Sequence, residues 1–112
     1  MKSREHVVTN GRAAFYASLW PDLKQAATNC GWALGLHGSL NSDMDIMAMP
    51  WAEDAVSHWS MISELCLCFT DNQDMRRTVQ VTQKPNNRTV YTLSIWADFY
   101  LDINIIQHEN KT

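Results

Sequence analysis

Two aspartates one residue apart, Asp43 and Asp45, stand where a short polar turn leads into an apolar run. Side chains two positions apart on a strand share a face, so these carboxylates project together, about 7 Å apart along the backbone. Gly38 and Ser39 lie on the other side of the turn. Carboxylate oxygens are ligands for Mg²⁺, and a glycine turn lets the backbone approach a ligand closely. Residues 38 to 45 therefore form a candidate site for Mg²⁺ and phosphate.

A third carboxylate, Asp102, lies between Leu101 and Ile103, and Asp45 is likewise followed by apolar residues. A carboxylate within such a run is costly unless it is paired, hydrogen-bonded or bound to a metal. Three acids converging from two strands can hold one or two divalent ions for phosphoryl chemistry. The alternative is that each acid faces solvent on an open sheet face, and the spacing leaves both interpretations open.

The elements that must position these acids follow from hydrophobic periodicity. Residues 32 to 36 and 44 to 49 are apolar runs typical of strands, and Pro50 closes the second. Apolar residues at helical spacing predict helices over 11 to 29 and 52 to 67. Pro21 is expected to kink the first helix or to start a new one. The second helix is expected to carry acidic residues in its first turn, where the helix dipole favours them; these are Glu53 and Asp54.

The remainder of the chain alternates as β structure. Residues 78 to 82 alternate, 84 to 87 have turn chemistry, and 89 to 105 alternate over a length too great for one strand. We therefore expect a hairpin and a break near Ala97. The prediction is one α+β domain over 1–112, with two helices on one face of a sheet of four or five strands, and with loose termini at 1–9 and 107–112. Asp102 is expected beside Asp45 on an adjoining strand.

Composition narrows the function classes. A formal net charge of −3 argues against strong general nucleic-acid binding. A cluster of basic residues can form either a local patch or a solvated hairpin rim; its members are Arg76, Arg77, Lys84 and Arg88. No apolar run is long enough to cross a membrane, and the first residues lack a secretory pattern. We therefore expect a soluble cytoplasmic protein with no membrane partner. The three scattered cysteines suit a reducing compartment better than zinc binding.

Three short motifs occur in a recognisable order: Leu36-His37-Gly38-Ser39, then Asp43-Met44-Asp45-Ile46, then Leu101-Asp102-Ile103. They resemble the hGS, DhD and hDh pattern of the nucleotidyltransferase superfamily related to DNA polymerase beta, where h is apolar. More narrowly, the stretches 15–21, 32–51 and 88–93 look like a group of small, mostly phage or prophage proteins described as nucleotidyltransferase-like. A phage-encoded chain would act in the host cytoplasm.

The resemblance implies a mixed sheet backed by helices and a nucleoside triphosphate or other nucleotide as ligand. It implies Mg²⁺, with Mn²⁺ as a substitute, and Asp102 as the base for an attacking hydroxyl. The Gly38 amide and the Ser39 hydroxyl would hold the triphosphate, with pyrophosphate leaving. From their place near the hairpin, we add Arg88 or Lys84 as a further positive charge on the phosphates. The implied metal ligands and catalytic residues are Asp43, Asp45 and Asp102.

One departure keeps two function classes open. In the superfamily a longer segment, which usually opens a short helix, separates the Gly-Ser pair from the aspartates, whereas here only residues 40 to 42 intervene. The first class is a minimal metal-dependent nucleotidyltransferase. The second is a catalytically weak or inactive phage protein that uses the fold to bind a nucleotide, a nucleotide signal or a host protein. Five tryptophans are many for a chain of 112 residues. Any that are exposed would favour a partner or self-association surface, whereas the alternative is that most of them lie in the core.

Overall fold

The computed structural model describes residues 4–38, 43–69, 79–96 and 99–106. These ranges contain two helices and five strands, the α+β architecture that the sequence predicts. Neither helix is long and apolar enough to cross a membrane. In chain order the elements are α1 (Arg4–Asn29), β1 (Trp32–His37), β2 (Met44–Pro50), α2 (His58–Cys66), β3 (Val79–Lys84), β4 (Arg88–Trp96) and β5 (Phe99–Ile105).

The five strands form one mixed sheet in the order β1-β2-β5-β4-β3. The β2 and β5 strands are parallel neighbours, whereas the other three pairs are antiparallel. In the β2–β5 register Asp45 lies opposite Asp102. The prediction that these two residues occupy adjoining strands is therefore confirmed.

The hydrophobic core lies between the helices and one face of the sheet. Alternate strand residues point into it, as the period of two requires. The fully or almost fully buried members from β2 and β5 are Met44, Ile46, Ala48, Leu101, Ile103 and Ile105. The helices contribute Tyr16, Leu23, Ala27, Met61, Ile62, Leu65 and Cys66. Residues of the other parity, including Asp45 and Asp102, project from the opposite side, which we call the open face.

Helix α1 is longer than predicted. It begins at Arg4 rather than at residue 11, so residues 4 to 9, which we expected to be loose, are helical. Pro21 lies inside this helix and does not start a second one. An internal proline costs about 3 kcal/mol because a backbone hydrogen bond is lost. Tyr16 and Leu23, on either side of Pro21, are both fully buried in the same core, and their burial offsets that penalty.

Helix α2 begins later than predicted, at His58 rather than at residue 52, so Glu53 and Asp54 precede the helix instead of occupying its first turn. The Ser57 side chain caps the helix by accepting the Ser60 N–H at 3.2 Å. The preceding amides donate elsewhere: Trp51 and Ala52 to the Gly31 carbonyl and Val56 to the Cys30 carbonyl. Those backbone bonds hold residues 51 to 56 against the end of α1 and keep them out of the helix.

The predicted hairpin is confirmed, with β3 and β4 paired through Lys84 and Arg88. Asn86 and Asn87 in its turn have φ of +67° and +60°, a region that asparagine tolerates better than most residues. The long alternating run divides between β4 and β5 as expected. The two residues of the predicted break, 97 and 98, and the tail 107–112 lie outside the described residues.

We expect Gly31→Ala to destabilise the protein by about 3 kcal/mol, because Gly31 combines positive φ with close packing. Its φ is +82°, and a Cβ there would lie 2.9 Å from the Ala55 Cα. Gly35→Ala is the matched control, since a Cβ at Gly35 meets nothing within 4 Å; its effect should stay within about 0.5 kcal/mol. Urea denaturation measures both. Equal losses in the two variants would contradict this account of Gly31.

Candidate functional site

The candidate site is a row of side chains that crosses the open face. Asp45 and Asp102 stand opposite each other on β2 and β5. His37 on β1 pairs with Asp45, and Thr92 on β4 pairs with Asp102. Directly opposed side chains on adjacent strands are near enough to interact. The row therefore places an imidazole, two carboxyls and a hydroxyl side by side across four strands.

The two carboxyls interact directly. Burial raises the pKa of Asp45, and the charge of Asp102 and a side-chain hydrogen bond with Asp102 raise it further, while His37 acts in the opposite direction. Asp102 also accepts a hydrogen bond at its Oδ1 from the Thr92 hydroxyl, at 2.8 Å. Like charges directly opposite each other are destabilising. The pair is thus a local concentration of negative charge that favours a proton or a cation.

Gly38 lies beside this pair at the end of β1. Its φ is +89°, and a Cβ at this position would approach the Asp45 Oδ2 to 3.4 Å. Only glycine takes such a backbone conformation without strain. The chain therefore turns immediately next to the Asp45 carboxyl, as the sequence led us to expect for this glycine. Ser39 and residues 40 to 42, for which the sequence predicts a turn, lie outside the described residues.

Asp43 stands directly before β2 and is half-buried. Among the described residues, no group of three or more His, Cys, Asp or Glu side chains is arranged to hold a metal ion. The structure therefore brings Asp45 and Asp102 together, but Asp43 does not complete a three-carboxylate cluster with them.

Arg88 is far from the carboxyls. It opens β4, where it pairs with Lys84 in the hairpin, and it is exposed. Thr92, the partner of Asp102, lies four residues further along β4. Four residues of extended strand span about 13 Å. The structure therefore places Arg88 toward the opposite end of the sheet from Gly38.

Two residues beside Asp102 were not singled out from the sequence. Thr92 donates to the Asp102 carboxyl, and the Asn104 side-chain amide donates to the Ile46 carbonyl at 3.3 Å and to the Asp102 carbonyl at 3.5 Å. Alternation alone assigned both to polar positions of their strands. The missing signal was the register of β4 and β2 against β5, which strand periodicity does not specify.

Similarity to known proteins is found in the comparison with solved structures and not in the comparisons of sequence. No protein-family model matches the chain, and no curated protein does. A cytoplasmic RNA terminal U-transferase matches with 19% identity and a TM-score of 0.45, over 87% of this chain and 28% of that one. A chain of the GLD-2/RNP-8 complex matches with 17% identity and a TM-score of 0.51, over 87% of this chain and 38% of that one.

The match to the chain of the GLD-2/RNP-8 complex, with a TM-score of 0.51, is a likeness of fold to a nucleotidyltransferase. The chain therefore has a nucleotidyltransferase-like fold, an α+β domain with a mixed five-stranded sheet and two helices. At 17% and 19% identity the likeness concerns the fold alone. The chain spans 28% and 38% of the length of the chains that it matches. The comparisons do not support the phage or prophage origin that the narrower resemblance suggested.

We expect Asp45→Asn to stabilise the metal-free protein increasingly as pH rises above the ordinary carboxyl pKa of 3.8. A folded-state pKa above the unfolded value means that ionisation of Asp45 opposes folding, so the stability of the wild type falls as pH rises through that raised pKa. Asparagine removes this penalty and can still donate to Asp102. Thermal unfolding in EDTA should show a gain of about 2 to 5 °C at pH 7 and little gain at pH 3.

Asp54→Asn is the control for removal of one negative charge, since Asp54 is an exposed acid away from the row. A gain that is independent of pH, or equally large in Asp54→Asn, would show that the ionisation of Asp45, opposed by burial and by the charge of Asp102, is not the cause.

Proposed function

We propose that the open face binds a nucleoside triphosphate together with Mg²⁺ and transfers its nucleotidyl group to an acceptor hydroxyl. One observation carries this proposal: Asp45 and Asp102 lie directly opposite each other on parallel neighbouring strands. Paired carboxyls on an open sheet face suit divalent-ion chemistry better than they suit structural stability, because burial and the charge of Asp102 both oppose the ionisation of Asp45. The nucleotidyltransferase-like fold supports the same reading.

The residues present fit Mg²⁺. This ion is usually held by one or two carboxylates, with substrate phosphates and water completing an octahedron, so a cage of three protein ligands is not required. Asp45 and Asp102 would supply the two carboxylates, and we keep Asp43 as the third proposed ligand. A bound divalent ion would neutralise charge on the transferring phosphoryl group. Mn²⁺ should substitute, since its ligand preferences are similar.

The other proposed roles concern how the chain would position the phosphates and the attacking hydroxyl. The turn at Gly38 brings backbone next to the Asp45 carboxyl, so phosphates bound at the carboxylates would lie against the Gly38 amide and the Ser39 hydroxyl. Asp102 would accept the proton of the attacking hydroxyl. Holding the reacting groups in line supplies most of the rate in phosphoryl transfer, so these contacts are the principal catalytic contribution of the chain.

A second candidate function is nucleotide or partner binding without transfer. It is favoured by the connection from β1 to β2, where only residues 38 to 43 lie between the strands. That length cannot include a helix of several turns, whose N-terminal amides would bind phosphate. Under this candidate a phage-encoded chain would bind a nucleotide, a host protein or a second copy of itself.

We expect nucleoside triphosphate binding to require a divalent ion, because the ionised carboxyl pair otherwise repels the phosphates. Asp45→Asn and Asp102→Asn should each weaken Mg²⁺-dependent binding about tenfold or more. Isothermal titration with ATP, GTP, CTP and UTP, in Mg²⁺ and in EDTA, measures this. Binding that is unchanged in both variants would exclude this site.

Arg88→Ala tests the proposed phosphate contact of Arg88 in the same titration. A loss comparable with that of Asp102→Asn would mean that the nucleotide extends along β4 to the hairpin. No loss would exclude Arg88 from the site and leave the carboxyl pair as its centre. Asp54→Asn again controls for the removal of one charge.

We expect nucleotidyl transfer to be slow, because a reduced phosphate cradle can lower the rate about a thousandfold. Purified protein, α-labelled triphosphates, Mg²⁺ or Mn²⁺, and RNA and protein acceptors should yield labelled acceptor and pyrophosphate in the wild type. Asp45→Asn should abolish both products. Tight nucleotide binding with no labelled product in any arm would contradict transfer and support the second candidate.

A further inference from the structure

Thr92 makes a specific contact with one oxygen of the proposed site. Its hydroxyl donates to the Asp102 Oδ1 at 2.8 Å, a good length for a bond between a hydroxyl and a carboxylate. Thr92 is half-buried and stands directly opposite Asp102 in the register of β4 and β5. The bond therefore links the side chains of a cross-strand pair, and strand pairing itself holds its two ends in place.

The Asp102 carboxyl has a neighbouring side chain on each of the two strands beside β5. On the β2 side Asp102 stands directly opposite Asp45. On the β4 side Asp102 accepts a hydrogen bond from the Thr92 hydroxyl. A carboxylate has about four lone-pair sites, so one accepted bond at Oδ1 leaves acceptor capacity for a cation. The Asp102 side chain thus lies between Asp45 on β2 and the Thr92 hydroxyl on β4.

The chemistry of threonine suits this task. A β-branched side chain is stiff at χ1, so its hydroxyl points in a defined direction, and it packs well on a pleated sheet. The backbone of Asp102 is tied as well, because the Asn104 amide bonds to the Asp102 carbonyl and to the Ile46 carbonyl of β2. With the backbone held by Asn104 and by strand pairing, Thr92 acts on the carboxyl itself.

We propose that Thr92 is a positioning residue, whose hydroxyl holds the Asp102 carboxyl in the orientation that binds the divalent ion. This inference rests on the proposed function of the carboxyl pair. Thr92 itself contacts neither ion nor nucleotide; it acts through Asp102. Outer groups that orient metal ligands commonly contribute 10-fold to 100-fold in metal affinity.

The test compares Mn²⁺ affinity, measured by electron paramagnetic resonance without nucleotide, in variants that differ in one hydroxyl. Thr92→Val keeps the shape and removes the donor, and we expect its affinity to fall about tenfold or more. Thr92→Ser restores a hydroxyl and should bind within about threefold of the wild type, since Ser and Thr offer the same donor. Thr92→Ala is a second variant without the hydroxyl, should Thr92→Val fail to fold.

Thr82→Val is the matched control. Thr82 is also a half-buried threonine of the open face, on β3, where it pairs with Val90 rather than with a carboxyl. It should bind Mn²⁺ as the wild type does. Equal loss in Thr82→Val and Thr92→Val would overturn the proposal, because it would mean that any such change on this face disturbs the site. Equal loss in Thr92→Ser and Thr92→Val would overturn it too, because the hydroxyl would then not be the cause.

Asp102→Asn separates this inference from the proposed function. If the wild type binds Mn²⁺, Asp102→Asn does not, and Thr92→Val binds normally, then Thr92 has no positioning role and the carboxyl site stands. If Asp102→Asn and Asp45→Asn bind as the wild type does, or the wild type does not bind, the carboxyl site fails and the role of Thr92 fails with it.

Discussion

The opposition of Asp45 and Asp102 across two parallel strands is the constraint on which the site depends. Two carboxyls directly opposite each other repel when ionised. Burial raises the pKa of Asp45, and the charge of Asp102 raises it further. The neighbouring polar side chains lie beside the two carboxyls without removing their charge. Asp102 accepts a hydrogen bond from the Thr92 hydroxyl, and Asp45 has His37 as its register partner on β1. An arrangement that opposes folding in this way is typical of functional sites.

The scaffold can sustain this opposition because the other face of the same strands is well packed. Met44, Ile46, Leu101 and Ile103 alternate with the acids and are fully buried under the helices. Each such side chain contributes about 2 kcal/mol through burial. Shifting either strand by one residue would turn its acid into the core and its apolar residues toward solvent. The core therefore holds the register that keeps the two carboxyls opposite each other.

A second junction fixes the remote ends of the site strands. The carbonyls of Cys30 and Gly31 accept backbone amides from residues 51 to 56, and the Trp32 indole N–H donates to the Val56 carbonyl at 2.8 Å. The end of α1, the start of β1 and the approach to α2 thus meet at a glycine whose close packing excludes a side chain. This junction anchors β1 and β2 at the end opposite the carboxyls.

Local periodicity determined much of this protein. Asp45 and Asp102 were expected on adjoining strands, which the register confirms. The alternation in residues 89 to 105 correctly predicted two strands, and the spacing of apolar residues correctly predicted two helices. These features depend on neighbours a few residues apart along the chain. The start of α2 was predicted too early, because the amides of Trp51, Ala52 and Val56 donate to the carbonyls of Gly31 and Cys30. The helix therefore begins at His58.

Only the tertiary structure decided which groups share the site. Strand pairing is non-local, and periodicity assigns a residue to a face without naming its neighbour across the sheet. Thr92 lies beside Asp102, whereas Arg88, on the same strand, lies about 13 Å further along it. The turn residues 84 to 87 correctly predicted the hairpin, but they did not indicate how far Arg88 lies from the acids. The sequence determined the faces and the elements; the register of β5 between β2 and β4 decided which side chains meet Asp102.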